Sequence, residues 1–334
     1  MPYSTDTAAK AVWSALVGNM LIAILKFIGF LLGRSPSMLA ESVHSVADVV
    51  NQVFLLIGLK QSTGGPSAEH NYGTWSARYL WNLLSAVGVF FIGCMVSLYS
   101  GFDSLAHPQA PQSGYRFFIA LSVLVGAFII DSYSLTVAAA EINRKKEDRS
   151  FSEYIRNGED ATVVAIYLED LVSTLGVVAA VFGIVFSHIL KTTTPDSLAA
   201  IFIGLLLGGI AVFLGKKNAK FLIGAAIDKD KEDEIKSFIE RFPSVEKVVK
   251  IKTEVLSPEK IHISLEVEFH GAAFFDKEQM EKDIERIKSG YPIAPILVNN
   301  TERAIRLLGR VINDIERKIK AKYPEVVSID LEVN

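Results

Sequence analysis

The stretch Leu198-Ala-Ala-Ile-Phe-Ile-Gly-Leu-Leu-Leu-Gly-Gly-Ile-Ala-Val-Phe-Leu214 carries no charge over seventeen residues and runs straight into Gly215-Lys216-Lys217. A bilayer has a hydrocarbon core of about 30 Å, which a helix of about 20 apolar residues crosses, with roughly 17 as the lower end. The run is therefore read as a membrane span, and the lysines mark its exit from lipid. Working back toward the N-terminus, five more segments meet the same length: residues 12–33, 38–59, 79–101, 117–140 and 161–190. Beyond Lys216 the character changes, and charged residues of both signs recur every few positions, as on a solvated surface. The expected organisation is a six-helix membrane domain over residues 1–215 and a cytosolic C-terminal domain over 216–334. Half of the 334 residues are hydrophobic and the formal net charge is −3, which suits this division better than one globular domain.

The tail alternates helix and strand. Residues 231–241 form an amphipathic helix with Ile235, Phe238 and Ile239 on one face, ending before Pro243. Residues 245–255 read as a strand. Ile261, Ile263, Leu265, Val267 and Phe269 then alternate with His262, Ser264, Glu266 and Glu268, giving a strand with one wet face. Helices over 276–288 and 301–322 follow, and a last strand has Val327, Ile329, Leu331 and Val333 inward. Helices on one face of a small sheet make an α+β domain.

Arg144, Lys145, Lys146, Arg149 and Arg156 lie between the fourth and fifth spans, and Lys216, Lys217 and Lys220 follow the sixth. Basic residues gather on the cytosolic side. Six spans then place both termini there. The opposite connections are lean in charge, holding Arg34, then Asp103, His107 and Arg116, then His188, Lys191 and Asp196. Residues 1–10 are polar and free of arginine, and the apolar run after them is too long for a signal-peptide core. This predicts an uncleaved protein of a bacterial inner membrane, with an organelle membrane as the alternative. The single cysteine, Cys94, sits in an apolar run and can form neither a disulfide framework nor a thiolate metal cluster. No stretch has the basic density of a nucleic-acid site, and no glycine-rich phosphate loop is present, so an ion gradient is the expected energy source.

Ionisable groups inside spanning helices default to function. Glu41, His44 and Asp48 are three and four residues apart, which puts them on one helix face, and Glu169 and Asp170 lie deep in the fifth span. His44 and Asp48, one turn apart, can grip a single ion. A tetrahedral site then needs oxygen from another helix, and Asp170 is the natural supplier. Glu41 near the headgroups, and Glu169 about 100° around its helix from Asp170, fit ligand and packing roles equally. Asn19, Lys26, Asp131 and Glu141 are read as interhelix, snorkelling or counter-charge groups. His262 and His270 are read as wet residues at and beyond a strand end, not as a second metal site.

The segment Ser35-Pro-Ser-Met-Leu-Ala-Glu-Ser-Val-His-Ser-Val-Ala-Asp-Val-Val-Asn51 resembles the second-helix signature of the cation diffusion facilitator family, in which serine and alanine lead into an acid, then histidine or aspartate, then an aspartate four residues on. Asn19, Lys26 and Gly29 in the first span, Gly176 after the fifth-helix acids and the Leu222-Ile-Gly224 exit are similar to the family as well. The resemblance implies a homodimer of six-helix protomers, a ferredoxin-like cytosolic domain, and exchange of metal for protons at a site shared by helices two and five. His44 and Asp48 match its helix-two ligand pair and Asp170 its second helix-five ligand. The first helix-five ligand falls on Ile166, which cannot bind metal. Tyr72-Gly-Thr-Trp75 and Leu168-Glu-Asp170 are similar to a branch with a Glu-Asp pair in helix five, where Glu169, Glu41 or water would replace the missing ligand.

The expected activity is export of a divalent cation, Zn²⁺, from the cytosol against protons by alternating access, with His44, Asp48 and Asp170 binding the ion and Glu169 or Glu41 assisting. No cofactor is implied beyond the transported ion. Imidazole favours zinc, while the carboxylates also suit Mn²⁺ or Fe²⁺. The rival readings are an intramembrane metalloenzyme, for which no separate base or oxyanion donors can be named, and a regulatory membrane protein whose tail binds partners.

Overall fold

The computed structural model describes residues 5–108, 114–146, 149–157 and 161–334; residues 1–4, where the polar N-terminal stretch begins, lie outside them. Six helices are long and apolar enough to cross a membrane, and the protein is a multi-pass membrane protein. They are α1 (Thr5–Gly33), α2 (Pro36–Gln61), α3 (Ala77–Ala106), α4 (Tyr115–Lys145), α6 (Ala161–Leu190) and α7 (Thr194–Leu222), with a short α5 (Phe151–Asn157) between the fourth and fifth spans. Their outer faces carry bare apolar side chains such as Leu21, Ile92, Ile129, Phe182 and Leu205, while Lys26, Glu41 and His44 are fully buried. This is apolar outside and polar inside, the arrangement a lipid solvent favours.

Two connections are very tight. Arg34 turns α1 into α2 with φ 54°, and Lys191 turns α6 toward α7 with φ 58°. The left-handed conformation ends each helix abruptly. Ser35 then caps α2 by accepting from the Met38 amide (3.2 Å), and Pro36 occupies the first helical position, where no N–H is needed. The hydroxyl of Ser37 donates to Asp196, tying the start of α2 to the start of α7.

The helices outrun the apolar segments that predict them. α7 continues past Gly215 through Lys216, Lys217 and Lys220, because lysine is a good helix former and suits a helix C-terminus. Lys217 Nζ donates to the Ile155 carbonyl (2.8 Å), docking the unanticipated α5. In α3 the backbone widens into a π-turn over Ser85–Phe90, a device often found at functional sites.

The chain divides into two compact units, residues 1–223 and Gly224–Asn334. The second holds α8 (Lys229–Ile239), β1 (Val245–Ser257), β2 (Lys260–Phe269), α9 (Lys277–Lys288), α10 (Ile293–Lys322) and β3 (Val326–Val333). Its sheet is mixed, with order β1-β2-β3, β1 antiparallel and β3 parallel to β2. The alternation read along β2 holds, with Ile261, Ile263, Leu265 and Val267 buried. In β3 a register irregularity beside Ile261 brings Val326 inward with Ile329, and Val333, on the face of Ile329, is exposed at the strand's end. α10 begins well before residue 301 because Pro295 falls in its first turn, where proline is tolerated. Ile263, fully buried in the central strand, anchors this core. Ile263→Ala is expected to destabilise the unit by about 2–5 kcal/mol, seen as faster hydrogen–deuterium exchange of the β1–β3 amides in the intact protein. Unchanged exchange would show that β2 does not carry the core.

Candidate metal-ion site

Glu41, His44, Asp48 and Asn51 form one stripe along α2, since steps of three and four residues return to the same face. α2 packs against α1, α3, α6 and α7, and this face reaches Lys26 of α1, Ser85 of α3 and Glu169 of α6. His44 and Glu41 are fully buried and the Asp48 side chain is 18% exposed. His44 Nε2 lies 3.6 Å from Asp48 Oδ2, too long for a hydrogen bond and short enough for both to reach one ion.

From α6 come Glu169 and Asp170. Asn51 Nδ2 donates to Glu169 Oε2 (2.7 Å), and the hydroxyl of Ser85 donates to Asn51 Oδ1 (2.5 Å). Ser85 opens the π-turn of α3, and its hydroxyl on Asn51 Oδ1 fixes the amide with its NH₂ toward the carboxylate. Asp170 is half-buried, beside Ser134 and within electrostatic reach of Asp48. Ile166, one turn before it, is 40% exposed.

A second cluster adjoins this one. Lys26 Nζ of α1 lies 2.8 Å from Glu41 Oε2 and 3.5 Å from Asp131 Oδ2 of α4, and the Ser173 hydroxyl of α6 donates to the same Asp131 oxygen (2.6 Å). Glu41 Oε1 occupies the space over Gly176, where any Cβ would collide with it. A side chain there would push the carboxylate aside.

The structure thus brings His44 and Asp48 together and gives Glu41 and Glu169 different partners, an ammonium and an amide. Among the described residues, no three His, Cys, Asp or Glu side chains stand close enough to hold one metal ion. Yet His44 Nδ1 and Nε2, Asp48 Oδ1, Glu169 Oε1 and Asp170 Oδ2 are buried atoms with no hydrogen-bond partner. Buried polar atoms are nearly always satisfied. An imidazole and several carboxylate oxygens left open in one bundle interior suit a divalent cation. Asn51, Ser85 and Ser173 were not singled out in the sequence. Asn51 had a signal, standing seven residues after His44 on the same face, whereas Ser85 and Ser173 look like ordinary small residues of packed helices.

Residues 12–223 match the model of the cation efflux transmembrane domain. Over 97% of its length the chain is 30% identical to the human proton-coupled zinc antiporter SLC30A9, mitochondrial, of which it spans 58%. It is 31% identical, again over 97% of its length, to metal tolerance protein C4 of Arabidopsis thaliana, of which it spans 73%. Over 73% of its length it is 22% identical to the manganese efflux system protein MneP of Bacillus subtilis, of which it spans 78%.

Proposed function

Because this chain belongs to the cation efflux family, the cation diffusion facilitators, we propose that it is a secondary transporter exporting Zn²⁺ from the cytosol in exchange for protons. The carrying observation is the set of open, buried atoms on His44, Asp48, Asp170 and Glu169 in the interior of a six-helix bundle. His44, Asp48 and Asp170 bind the ion. Since only the first two already stand together, capture draws α6 toward α2, and that movement is the closing step of alternating access. Of the two assisting carboxylates, Glu169 is the one retained. Its partner is a neutral amide that leaves its charge in place, whereas the Lys26 ammonium cancels that of Glu41. Proton coupling follows because ligands must be deprotonated to bind, so protons on the far side displace the ion.

The proposal includes the rest of the expected organisation. Both termini face the cytosol, two copies associate, and the membrane is a bacterial inner one. The relatives named as antiporters and efflux proteins favour transport over an enzyme or a regulator. A second cargo, Mn²⁺ or Fe²⁺, is favoured by one specific observation, the excess of carboxylate over imidazole among the open atoms. Metal uptake into vesicles containing the purified protein tests the whole reading, and absence of uptake with intact protein would overturn it.

The role of Glu169 has its own test. Glu169→Gln is expected to weaken zinc binding about tenfold and Asp170→Asn by at least as much, by calorimetric titration beside the parent. Equal affinity and an equal pH profile for Glu169→Gln would reduce Glu169 to a helix-packing residue.

A further inference from the structure

Lys26 is a fully buried ammonium whose partner Glu41 borders the site just proposed, and that reading uses it only to set Glu41 aside. It touches Glu41 at 2.8 Å and Asp131 at 3.5 Å. Glu41 lies one helical turn before His44 on the face that carries Asp48, so its carboxylate is the nearest acid on α2 outside the proposed ligands. Only one of its oxygens is taken, and the other, over Gly176, has no hydrogen-bond partner. Glu41 therefore shares the helix face of His44 and Asp48 and has a spare oxygen, while its other oxygen is held by Lys26.

We propose that Lys26 determines which cation the site prefers, by withholding Glu41 from the metal. With the ammonium in place, the ion meets one imidazole and the carboxylates of Asp48, Asp170 and Glu169. Without it, a further oxygen ligand and an uncancelled negative charge enter the same pocket. Oxygen-rich coordination favours harder ions such as Mn²⁺, which accept more ligands, over Zn²⁺, which gains most from nitrogen in a four-coordinate shell. The Lys26–Glu41 pair is thus a filter against hard cations. Asp131, held by the Ser173 hydroxyl, gives the ammonium a second anionic contact at 3.5 Å, which helps keep it on its partner.

This inference rests on the proposed site, and the experiment separates the two. Zinc and manganese affinities are measured by calorimetric titration of the purified full chain for the parent, His44→Ala, Lys26→Met, Glu41→Gln and the double variant Lys26→Met/Glu41→Gln. If His44→Ala binds both metals as the parent does, the site reading itself has failed. If it does not, Lys26→Met is expected to shift the Mn²⁺-to-Zn²⁺ preference about tenfold toward Mn²⁺, and the double variant to return it to the parent value. Lys26→Met leaves the buried Glu41 carboxylate without its cation and can fail to fold, so Glu41→Gln carries an independent test. Removing a withheld carboxylate changes the local charge felt by both ions alike, so the preference stays where it was. A parent-like preference in folded Lys26→Met, a shift that persists in the double variant, or a tenfold loss of Mn²⁺ relative to Zn²⁺ in Glu41→Gln would overturn the proposal.

Discussion

Asp48→Ala is expected to abolish zinc uptake by vesicles containing the protein, lowering it by about 100-fold or to background, while the purified variant keeps its helical content and elution volume. Asp48 stands 3.6 Å from His44, and the two are the proposed ligands already side by side. The resting protein barely depends on it, because Asp48 Oδ1 has no hydrogen-bond partner and its loss leaves no donor stranded. This is the opposite of Lys26, whose removal strands the Glu41 carboxylate. Normal uptake by Asp48→Ala would remove α2 from the ion's path. Loss of uptake together with loss of the folded protein would assign Asp48 to structure instead.

The second large effect concerns the driving force. Zinc accumulation is expected to require a pH gradient with the vesicle interior acidic, and a protonophore is expected to stop it. For each proton exchanged, each pH unit of gradient raises the attainable zinc ratio about tenfold, the factor that links a tenfold proton ratio to a tenfold ion ratio. Acidifying the loading side lowers uptake, since protons there compete for the same nitrogen and oxygens. Measured with a zinc-sensitive dye inside the vesicles, a flux indifferent to pH between roughly 5.5 and 7.5 would point to a channel or to another coupling ion.

The spans were legible because a membrane demands length and apolarity together, and nothing else in a sequence of this kind satisfies both. Their ends were not. Lys216 to Lys220 look like the start of a soluble domain, yet they extend α7, since the same lysines that leave the lipid also propagate a helix. The stripe Glu41, His44, Asp48 was legible from spacing alone, because residues three and four apart must share a face. What each carboxylate touches was not, because that depends on how neighbouring helices are rotated. Lys26 and Asp131 are far apart in sequence and meet only after α1 and α4 pack, and the Asn51–Ser85 contact depends on a π-turn that no residue pattern announced. In β3, alternation correctly predicted a strand but missed the slip beside Ile261, because periodicity carries no information about irregular pairing.

The turn at Arg34 and Ser35 has a consequence for how the protein is made. During insertion, α1 alone would place the Lys26 ammonium, seven residues from its end, in the membrane, and α2 alone would place Glu41, five residues from its start, there too, each at less than the about 2.5–3.5 kcal/mol of a helix centre on translocon scales. Only two residues separate the helices, and one of them is already in the left-handed conformation that folds the second back on the first. The pair is therefore suited to enter the bilayer as a closed hairpin, with the 2.8 Å contact formed before lipid surrounds it. A lengthened or stiffened turn would be felt first as poor yield of inserted protein, before any transport is measured.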